Sequence, residues 1–255
     1  MYVGSLFSGA GLGDLGLHRA GLKHRWFCEC DPYARKILAA RWPGVPILED
    51  VRDVSAETAH PVDVLAGGFP CQDVSSAGKR RGVKEGTRSG LWFEYLRIIR
   101  EIRPRYVIVE NVKALLSNGM STVLQGLAES GYDAEWDVFP AAAFGAPHLR
   151  ERVVIVAYPH GLRQPGAGPI LEADAHLAKC GRPDGPSDWN GLRLEGPRAQ
   201  AALSAHPGPV LRRVDDGGPY WVDRLRCLGN GIVPDLMEHV GRLVLAAETC
   251  RAANP

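Results

Sequence analysis

Apolar and polar positions follow two alternating patterns over the first 158 residues. Short apolar runs, several of them rich in β-branched residues, predict strands at 2–7, 24–28, 45–48, 62–66, 106–109, 132–138 and 152–157. Between them, apolar residues three or four positions apart predict helices at 12–20, 32–41, 91–102 and 121–131. These two periods are typical of strands and helices. The alternation predicts βαβ units, and therefore an α/β fold with a doubly wound, mostly parallel sheet.

The regular pattern stops at Pro159 and returns with an amphipathic helix predicted at 234–247. Residues 159–220 are rich in Gly, Pro, Ala and Arg and show no sustained period. A disordered linker has such a composition, but a long irregular loop within a compact domain is usually functional. We therefore divide the chain into a regular domain at 1–158, an irregular region at 159–220 and a returning segment at 221–255.

Composition places few limits on the function. The 255 residues contain 30 Lys and Arg against 29 Asp and Glu, so the net charge of +1 does not by itself indicate nucleic-acid binding. The six cysteines lack the spacing of a disulfide framework or a metal site, which predicts reduced thiols, a cytoplasmic protein and no bound metal. The sequence shows no apolar run long enough to span a bilayer, so no membrane association is expected.

A glycine-rich turn and two carboxylates indicate nucleoside binding near the start of the chain. Residues 11–16 match the pattern Gly-x-Gly-x-x-Gly where a predicted strand leads into a predicted helix. Such a turn lets a ligand approach backbone amides. Glu29 ends the second strand, where a carboxylate can bind a ribose diol, and Asp50 follows the third strand. A dinucleotide and S-adenosylmethionine (AdoMet) both carry an adenosine, so these features alone fit either cofactor.

Cys71 and Glu110 follow two further predicted strands and would face one crevice at the carboxyl ends of those strands. The stretch Gly-Gly-Phe-Pro-Cys-Gln at 67–72 places the thiol in a Gly/Pro turn, where glycine allows close approach of a ligand. A lone cysteine is more often a core residue, and a lone buried glutamate is as often part of an ion pair. Found together at two strand ends, they predict a nucleophile in a pocket that also contains a carboxylate.

The order of these motifs resembles that of the DNA (cytosine-5) methyltransferases, in particular the short forms of phages and prophages. The matching segments span nearly the whole chain and are Phe-Ser-Gly-Ala-Gly at 7–11, Gly-Phe-Pro-Cys-Gln at 68–72, Glu-Asn-Val at 110–112, Gly-Ala-Pro-His-Leu-Arg-Glu-Arg at 145–152 and Leu-Gly-Asn-Gly-Ile-Val-Pro at 228–234. The resemblance implies the Rossmann-like fold of AdoMet-dependent methyltransferases. Three positions depart from the family pattern: Cys30 replaces an aromatic residue that stacks on adenine, Leu12 a glycine, and His148 a glutamine.

The resemblance also implies AdoMet as the cofactor and a set of site residues. The implied cofactor residues are Phe7, Ser8, Gly9, Ala10, Gly11, Leu12, Glu29, Cys30, Asp50, Val51, Gly68, Pro70, Leu91, Asn230 and Gly231. Cys71 is the implied nucleophile, which adds to C6 of a flipped-out cytosine. Glu110 would bind N3 and the exocyclic amine, Arg152 would bind O2, and Arg150 completes the implied catalytic set. The residues implied to contact DNA are Gln72, Ser75, Arg80, Arg81 and Lys84.

Double-stranded DNA is the partner that the resemblance implies, with a monomeric enzyme and with residues 159–220 as the region that selects the DNA sequence. Residues of that region suited to phosphate and base contacts are Arg163, Arg182, Trp189, Arg193 and Arg198. Three alternatives stay open: an NAD-dependent oxidoreductase, a non-catalytic DNA-binding relative and a tRNA methyltransferase. The residues reveal neither the recognition sequence nor whether a restriction endonuclease accompanies the protein.

Overall fold

The computed structural model describes residues 1–70, 90–146, 148–163, 168–171 and 231–253. The strands are β1 (Tyr2–Leu6), β2 (Lys23–Cys28), β3 (Ile47–Leu48), β4 (Val64–Gly67), β5 (Tyr106–Val112), β6 (Tyr132–Pro140) and β7 (Glu151–Pro159). The α-helices are α1 (Leu12–Arg19), α2 (Pro32–Arg41), α3 (Leu91–Ile102), α4 (Leu115–Asn118), α5 (Met120–Glu129) and α6 (Pro234–Ala253). Short 3₁₀ turns occupy Val51–Asp53 and Ala141–Phe144.

The described strands form one seven-stranded sheet in the order β3-β2-β1-β4-β5-β7-β6. Neighbours from β3 to β5 are parallel, whereas β7 is antiparallel to both β5 and β6. This topology confirms the predicted α/β fold with a doubly wound, mostly parallel sheet. The strand order reverses between β1 and β4, and the ends of β1, β4 and β5 form what we call the carboxyl edge. Ligands of such sheets bind at that edge, near the reversal.

Local sequence explains where several elements begin and end. The Asp31 side chain caps the N-terminus of α2, and Pro32 is the first residue of that helix. Both residue types favour these positions. The strand predicted at 45–48 is shorter in the structure, because Pro46 has no N–H for the sheet and β3 begins only after it. The helix predicted to stop at Gly131 ends at Glu129, and Gly131 follows with a left-handed φ of 83°.

Two apolar layers cover the two faces of the sheet. On one face, α3 and α5 bury large side chains such as Trp92 and Leu127 against the strands. On the other face, α1 and α6 pack together around Leu17 and other fully buried side chains. Gly16 permits this approach, because a Cβ there would lie 2.1 Å from the carbonyl oxygen of Pro234. The last helix therefore packs onto the first.

The described residues that follow β7 pack against the sheet. Glu135 on β6 accepts hydrogen bonds from Tyr158 Oη at 2.8 Å, from Arg163 at 2.6 Å and from the Leu171 N–H at 3.1 Å. Ile170 and Leu171 are buried in the same layer as α1 and α6. The division of the chain at 158 and 220 stays a prediction, because most of residues 159–230 lie outside the described ranges. Within those ranges, no helix is long and apolar enough to cross a membrane.

Candidate active site

Glu29 holds the turn between β1 and α1 against the end of β2. Its carboxylate accepts a hydrogen bond from the Gly9 N–H at 2.6 Å and another from the Asp31 N–H at 2.8 Å. The Ser8 N–H donates to the carbonyl oxygen of Cys28 at 3.2 Å. Glu29 is only 9% exposed. The backbone donors therefore compensate for the water that its charge has lost.

The same turn contains three residues in the left-handed region. Phe7, Gly9 and Gly11 have φ values of 55°, 54° and 74°. Gly11 is also required for packing, because a Cβ there would lie 2.5 Å from the Trp42 ring. A Cβ on Gly9 would meet no atom within 4 Å. A ligand can therefore approach the backbone at Gly9 closely, beside the Glu29 carboxylate that the Gly9 N–H binds.

Cys30 and Asp50, two of the implied cofactor residues, follow β2 and β3 at the carboxyl edge. The Asp50 carboxylate accepts hydrogen bonds from the backbone N–H and from Nε of Arg52, both at 2.9 Å. These bonds lower the pKa of Asp50 to about 2. An adenine amino group would have to share this carboxylate with Arg52. Partial burial and the neighbouring Glu29 raise the pKa of the Cys30 thiol, so Cys30 is a neutral thiol at pH 7.

The C-terminal segment reaches the first turn of α1. A Cβ on Gly13 would lie 3.1 Å from Cγ2 of Ile232. The residues just before α6 therefore lie beside the first turn of α1, which directly follows the glycine-rich turn at residues 7–11. Gly231 is the first of them, and Asn230 lies outside the described ranges. The other implied cofactor residues that the structure describes follow strand ends or lie at the starts of α1 and α3, and they are Ala10, Leu12, Val51, Gly68, Pro70 and Leu91.

Two consecutive residues of β5 contact the turn that leads to Cys71. Gly68 lies against Glu110, because a Cβ on Gly68 would be 2.5 Å from Glu110 Oε2. Asn111, which is 2% exposed, donates from Nδ2 to the carbonyl oxygen of Phe69 at 3.1 Å. Outside the described ranges lie Cys71 and the implied DNA contacts Gln72, Ser75, Arg80, Arg81 and Lys84. Residues 68–70 nevertheless lie beside Glu110, and Pro70 directly precedes Cys71 in the sequence.

Glu110 and Arg152 form an ion pair at the end of β5. Arg152 Nε lies 2.8 Å from Glu110 Oε1, and their side chains are 13% and 19% exposed. The pairing follows from register, because Arg152 lies opposite Val112, two residues beyond Glu110 on the same face of the sheet. Burial raises the pKa of Glu110, and the opposing effects of Arg152 and Arg150 are smaller. A carboxyl with a raised pKa keeps its proton to higher pH and can act as an acid.

His148 and Arg150 extend this cluster. The buried Nδ1 of His148 has no hydrogen-bond partner among the described residues. Burial and the nearby charge of Arg150 lower the pKa of His148, so its imidazole is neutral at pH 7. Arg150 also acts electrostatically on Glu110. Of the four implied catalytic residues, the structure thus brings together Glu110, Arg150 and Arg152.

The sequence analysis missed a row of aromatic rings that runs from the turn at residues 7–11 to the turn at residues 68–70. The Phe7 ring centroid is 6.4 Å from that of Tyr95, which is 5.5 Å from that of Trp92. Trp92 in turn is 5.4 Å from Phe69. The helical spacing of apolar residues in α3 predicted a buried face, but not which turns it would contact. Through these rings, α3 packs against both turns.

The structure changes the interpretation of Arg163. The sequence analysis placed it among residues suited to phosphate and base contacts. Instead, Arg163 pairs with Glu135 on β6 at 2.6 Å and donates to the carbonyl oxygen of Gly168, with 20% of its side chain exposed. Its charge is compensated within the protein, because the chain after β7 folds back onto the sheet.

Comparison with known proteins agrees with this arrangement. The fold is the Rossmann-like α/β fold of AdoMet-dependent methyltransferases. The family model described as C-5 cytosine-specific DNA methylase matches residues 1–179, and the chain belongs to this family. The resemblance seen in the sequence motifs is therefore confirmed.

Individual relatives are considerably longer than this chain. Type II methyltransferase M2.BsuMI of Bacillus subtilis (strain 168) is 38% identical over 165 residues, which are 62% of this chain and 42% of that protein. Type II methyltransferase M.BsuFI of Bacillus subtilis is 32% identical over 226 residues, which are 87% of this chain and 52% of that protein. The chain thus spans about half the length of these curated relatives.

A solved structure with the same fold comes from an Escherichia coli prophage. The protein, assigned as a DNA modification methyltransferase, is 26% identical to this chain with a TM-score of 0.53. The superposition covers 64% of this chain and 47% of the prophage protein. The shared part is therefore again about half of the longer protein.

Proposed function

We propose that this protein transfers the methyl group of AdoMet to C5 of a cytosine in double-stranded DNA. The observation that carries the proposal is the 2.8 Å ion pair of Glu110 and Arg152 beside the turn that leads to Cys71. Membership of the cytosine-5 DNA methylase family supports it. An acid, a cation and a thiol at one site are the groups that covalent activation of a pyrimidine ring requires.

The turn after β1 fits the adenosine part of AdoMet. The open space over Gly9 gives a ligand access to the backbone, and the adjacent Glu29 carboxylate can also accept from ribose hydroxyls. Asp50 follows β3, where its carboxylate would accept hydrogen bonds from both Arg52 and the adenine amino group. When bound, AdoMet supplies an electrophilic methyl group. The residues of this chain hold it at the edge of the sheet where Glu110 also lies.

Cysteine addition makes C5 of cytosine nucleophilic. In this proposal the Cys71 thiolate forms a bond to C6, and the ring electrons move toward N3. Glu110, whose pKa is raised by burial, donates its proton toward N3 and limits the charge that develops there. Arg152 binds O2, and its 2.8 Å contact with Glu110 keeps the carboxyl group in place.

C5 takes the methyl group and S-adenosylhomocysteine is released. A base then removes the C5 proton, the electron pair of that C–H bond forms the C5–C6 double bond, and the C6–S bond breaks to release the Cys71 thiolate. N3 returns its proton to the Glu110 carboxylate.

Duplex DNA requires contacts beyond the reacting base. The target cytosine must leave the base stack, at a cost of roughly a few kcal/mol. We propose that Arg80, Arg81 and Lys84 in the segment after Cys71 bind the DNA backbone during this step. We also propose that the part of residues 159–220 beyond Leu171 selects the DNA sequence. We do not assign Arg163 to that role, because its charge is already paired with Glu135.

Bisulfite sequencing of the genome of an expression host that lacks cytosine-5 methylation tests the activity and identifies the target sequence. Methylated cytosines in one sequence context are expected. Purified protein incubated with labelled AdoMet should then label duplex DNA that carries this site and leave tRNA unlabelled. Label in tRNA alone would contradict DNA as the substrate.

A duplex with 5-fluorocytosine at the identified site tests the covalent step. It should trap an adduct with the wild-type protein, because C5 then has no proton to lose. Cys71→Ser should form no adduct and retain less than about 1% of methyl transfer, while AdoMet affinity stays within about threefold of wild type. Cys250→Ser, at an exposed cysteine of α6, is the matched control. Absence of the wild-type adduct at a verified site would contradict attack by Cys71.

A further inference from the structure

The loop that joins β6 to β7 lies at the carboxyl edge of the sheet. β6 runs in the same direction as β5, because β7 is antiparallel to both strands. The end of β6 therefore lies at the edge where β4 and β5 also end. At the base of the loop, the Ala141 N–H donates to the Arg150 carbonyl oxygen at 3.1 Å. Within it, the Ala146 N–H donates to the Ala141 carbonyl oxygen at 3.2 Å.

Leu149 is exposed on this anchored loop. Among the described residues, the exposed large apolar side chains are Tyr2, Leu116, Trp136 and Leu149, of which Leu149 is the most exposed at 59%. Its neighbours turn inward, since Ala146 is buried and Nδ1 of His148 is shielded from solvent. A single exposed leucine is common on protein surfaces and has no meaning by itself. Leu149 is of interest because it lies on the loop beside the candidate active site.

Cations accompany Leu149 at this edge. Arg150 follows it directly, and Arg152, which pairs with Glu110, is three residues away. Lys113, at the turn after β5, reaches Glu151 at 2.7 Å. Two of these cations are paired with carboxylates, so the cation that matters beside Leu149 is the adjacent Arg150. An apolar side chain next to an arginine is complementary to a DNA duplex, which presents phosphates next to apolar sugar and base faces. DNA-binding proteins that distort the duplex insert side chains such as leucine between bases.

We propose that Leu149 packs against the sugar and base faces of duplex DNA beside the flipped-out cytosine and stabilises the flipped state. The inference rests on the proposed function, because the cytosine site at Glu110 and Arg152 defines where the flipped base lies. Removing a base from the stack exposes apolar faces of its neighbours to water. Covering such a face with Leu149 lowers the free energy of the flipped state. This contact is independent of phosphate charge.

Equilibrium binding of a duplex that carries the identified site, with S-adenosylhomocysteine present, tests the contact. Leu149→Ala should raise Kd by roughly 3–10-fold, as expected for loss of a partly buried leucine side chain. The slope of log Kd against log salt concentration should stay that of wild type, because no phosphate contact is lost. Leu149→Met keeps the volume and should bind within about twofold of wild type.

The control is Tyr2→Ala, which removes another exposed side chain, 42% exposed, at the opposite edge of the sheet. It should bind DNA like wild type, and all variants should bind S-adenosylhomocysteine equally. A duplex with 2-aminopurine at the target position reports flipping by fluorescence. Leu149→Ala should lower that signal at saturating protein.

Two outcomes overturn the inference. One is that Leu149→Ala keeps wild-type Kd and wild-type fluorescence. The other is that it weakens binding together with a smaller salt slope, which would mean that the substitution acts through the neighbouring cations. A wild-type protein that neither binds nor methylates duplex DNA would instead contradict the proposed function.

Discussion

Asn111 donates a hydrogen bond from Nδ2 to the carbonyl oxygen of Phe69 across 3.1 Å. Its Oδ1 accepts from the Val112 N–H at 2.9 Å, so both ends of the buried amide have partners. The first bond ties β5, which carries Glu110, to the turn two residues before Cys71. The acid and the segment that leads to the nucleophile are therefore positioned together.

Asn111→Ala should slow formation of the 5-fluorocytosine adduct by roughly 10–100-fold, because a buried carbonyl left without its donor costs about 1–3 kcal/mol. Relaxation of the Phe69 turn would misplace Cys71, whereas AdoMet affinity should not change. Gln125→Ala removes an amide from the exposed side of α5, where it bonds Glu129, and serves as the control. If the variant lost stability but formed adduct at the wild-type rate, Asn111 would support only the fold.

Glu110→Gln should slow methyl transfer by roughly 10²–10⁴-fold, the range for loss of a positioned acid. Single-turnover rates on the identified duplex give the effect directly. Glu151→Gln is the matched control, because that carboxylate is 43% exposed and pairs with Lys113. A rate defect in the control as large as that of Glu110→Gln would show that charge at this edge, and not the acid, is what matters.

The raised pKa of Glu110 predicts a specific pH dependence. If its proton is used in catalysis, kcat/KM should fall as pH rises through the pKa of Glu110, which lies above the usual 4.5. The folded state also binds this proton more tightly than the unfolded state does. Its contribution to the free energy of unfolding is therefore present below pH 4.5 and is lost as pH rises through the folded pKa. Rate and urea-unfolding profiles of Glu110→Gln should both lack this transition.

Glu29→Ala should weaken AdoMet binding by roughly 10–100-fold, since the Gly9 N–H loses its acceptor and the ribose loses a charged partner. Isothermal titration with AdoMet measures the change. Glu49→Ala removes a nearby carboxylate that is 72% exposed and pairs with Arg35, and it should bind AdoMet like wild type. Equal affinities of the two variants would remove Glu29 from the cofactor pocket.

Exchange of residues 172–220 for the matching segment of a relative should change which cytosines are methylated and leave the fold intact. Exchange of 159–220 should also lower Tm, because it removes the Arg163 and Leu171 groups that bond Glu135. Bisulfite sequencing and thermal unfolding of both chimeras measure these effects. A folded, active 172–220 chimera that keeps the original target sequence would contradict the assignment of sequence choice to this region.

Local sequence was sufficient to predict most strands and helices, because most of them carry their own apolar run or period. It did not predict the short helix α4 or the reversed direction of β7. Local sequence also predicted that Cys71 and Glu110 would face one crevice, since both follow strands that end at one edge. The structure places Gly68, three residues before Cys71, against Glu110. The bond from Asn111 to Phe69 and the pairing of Arg163 with Glu135 could not be predicted in this way. They join segments far apart in the chain, and hydrophobic periodicity contains no information about which distant side chains meet.

The reversed direction of β7 determines which of its residues can reach the reacting base. In a parallel sheet only the last residues of each strand reach the edge where ligands bind, and the first residues lie at the far side. If β7 ran parallel to β5 in the same place, Arg152 would lie near the start of β5, roughly 10–15 Å from Glu110. One inverted strand therefore lets the beginning of one strand and the end of its neighbour supply the two members of a charged pair.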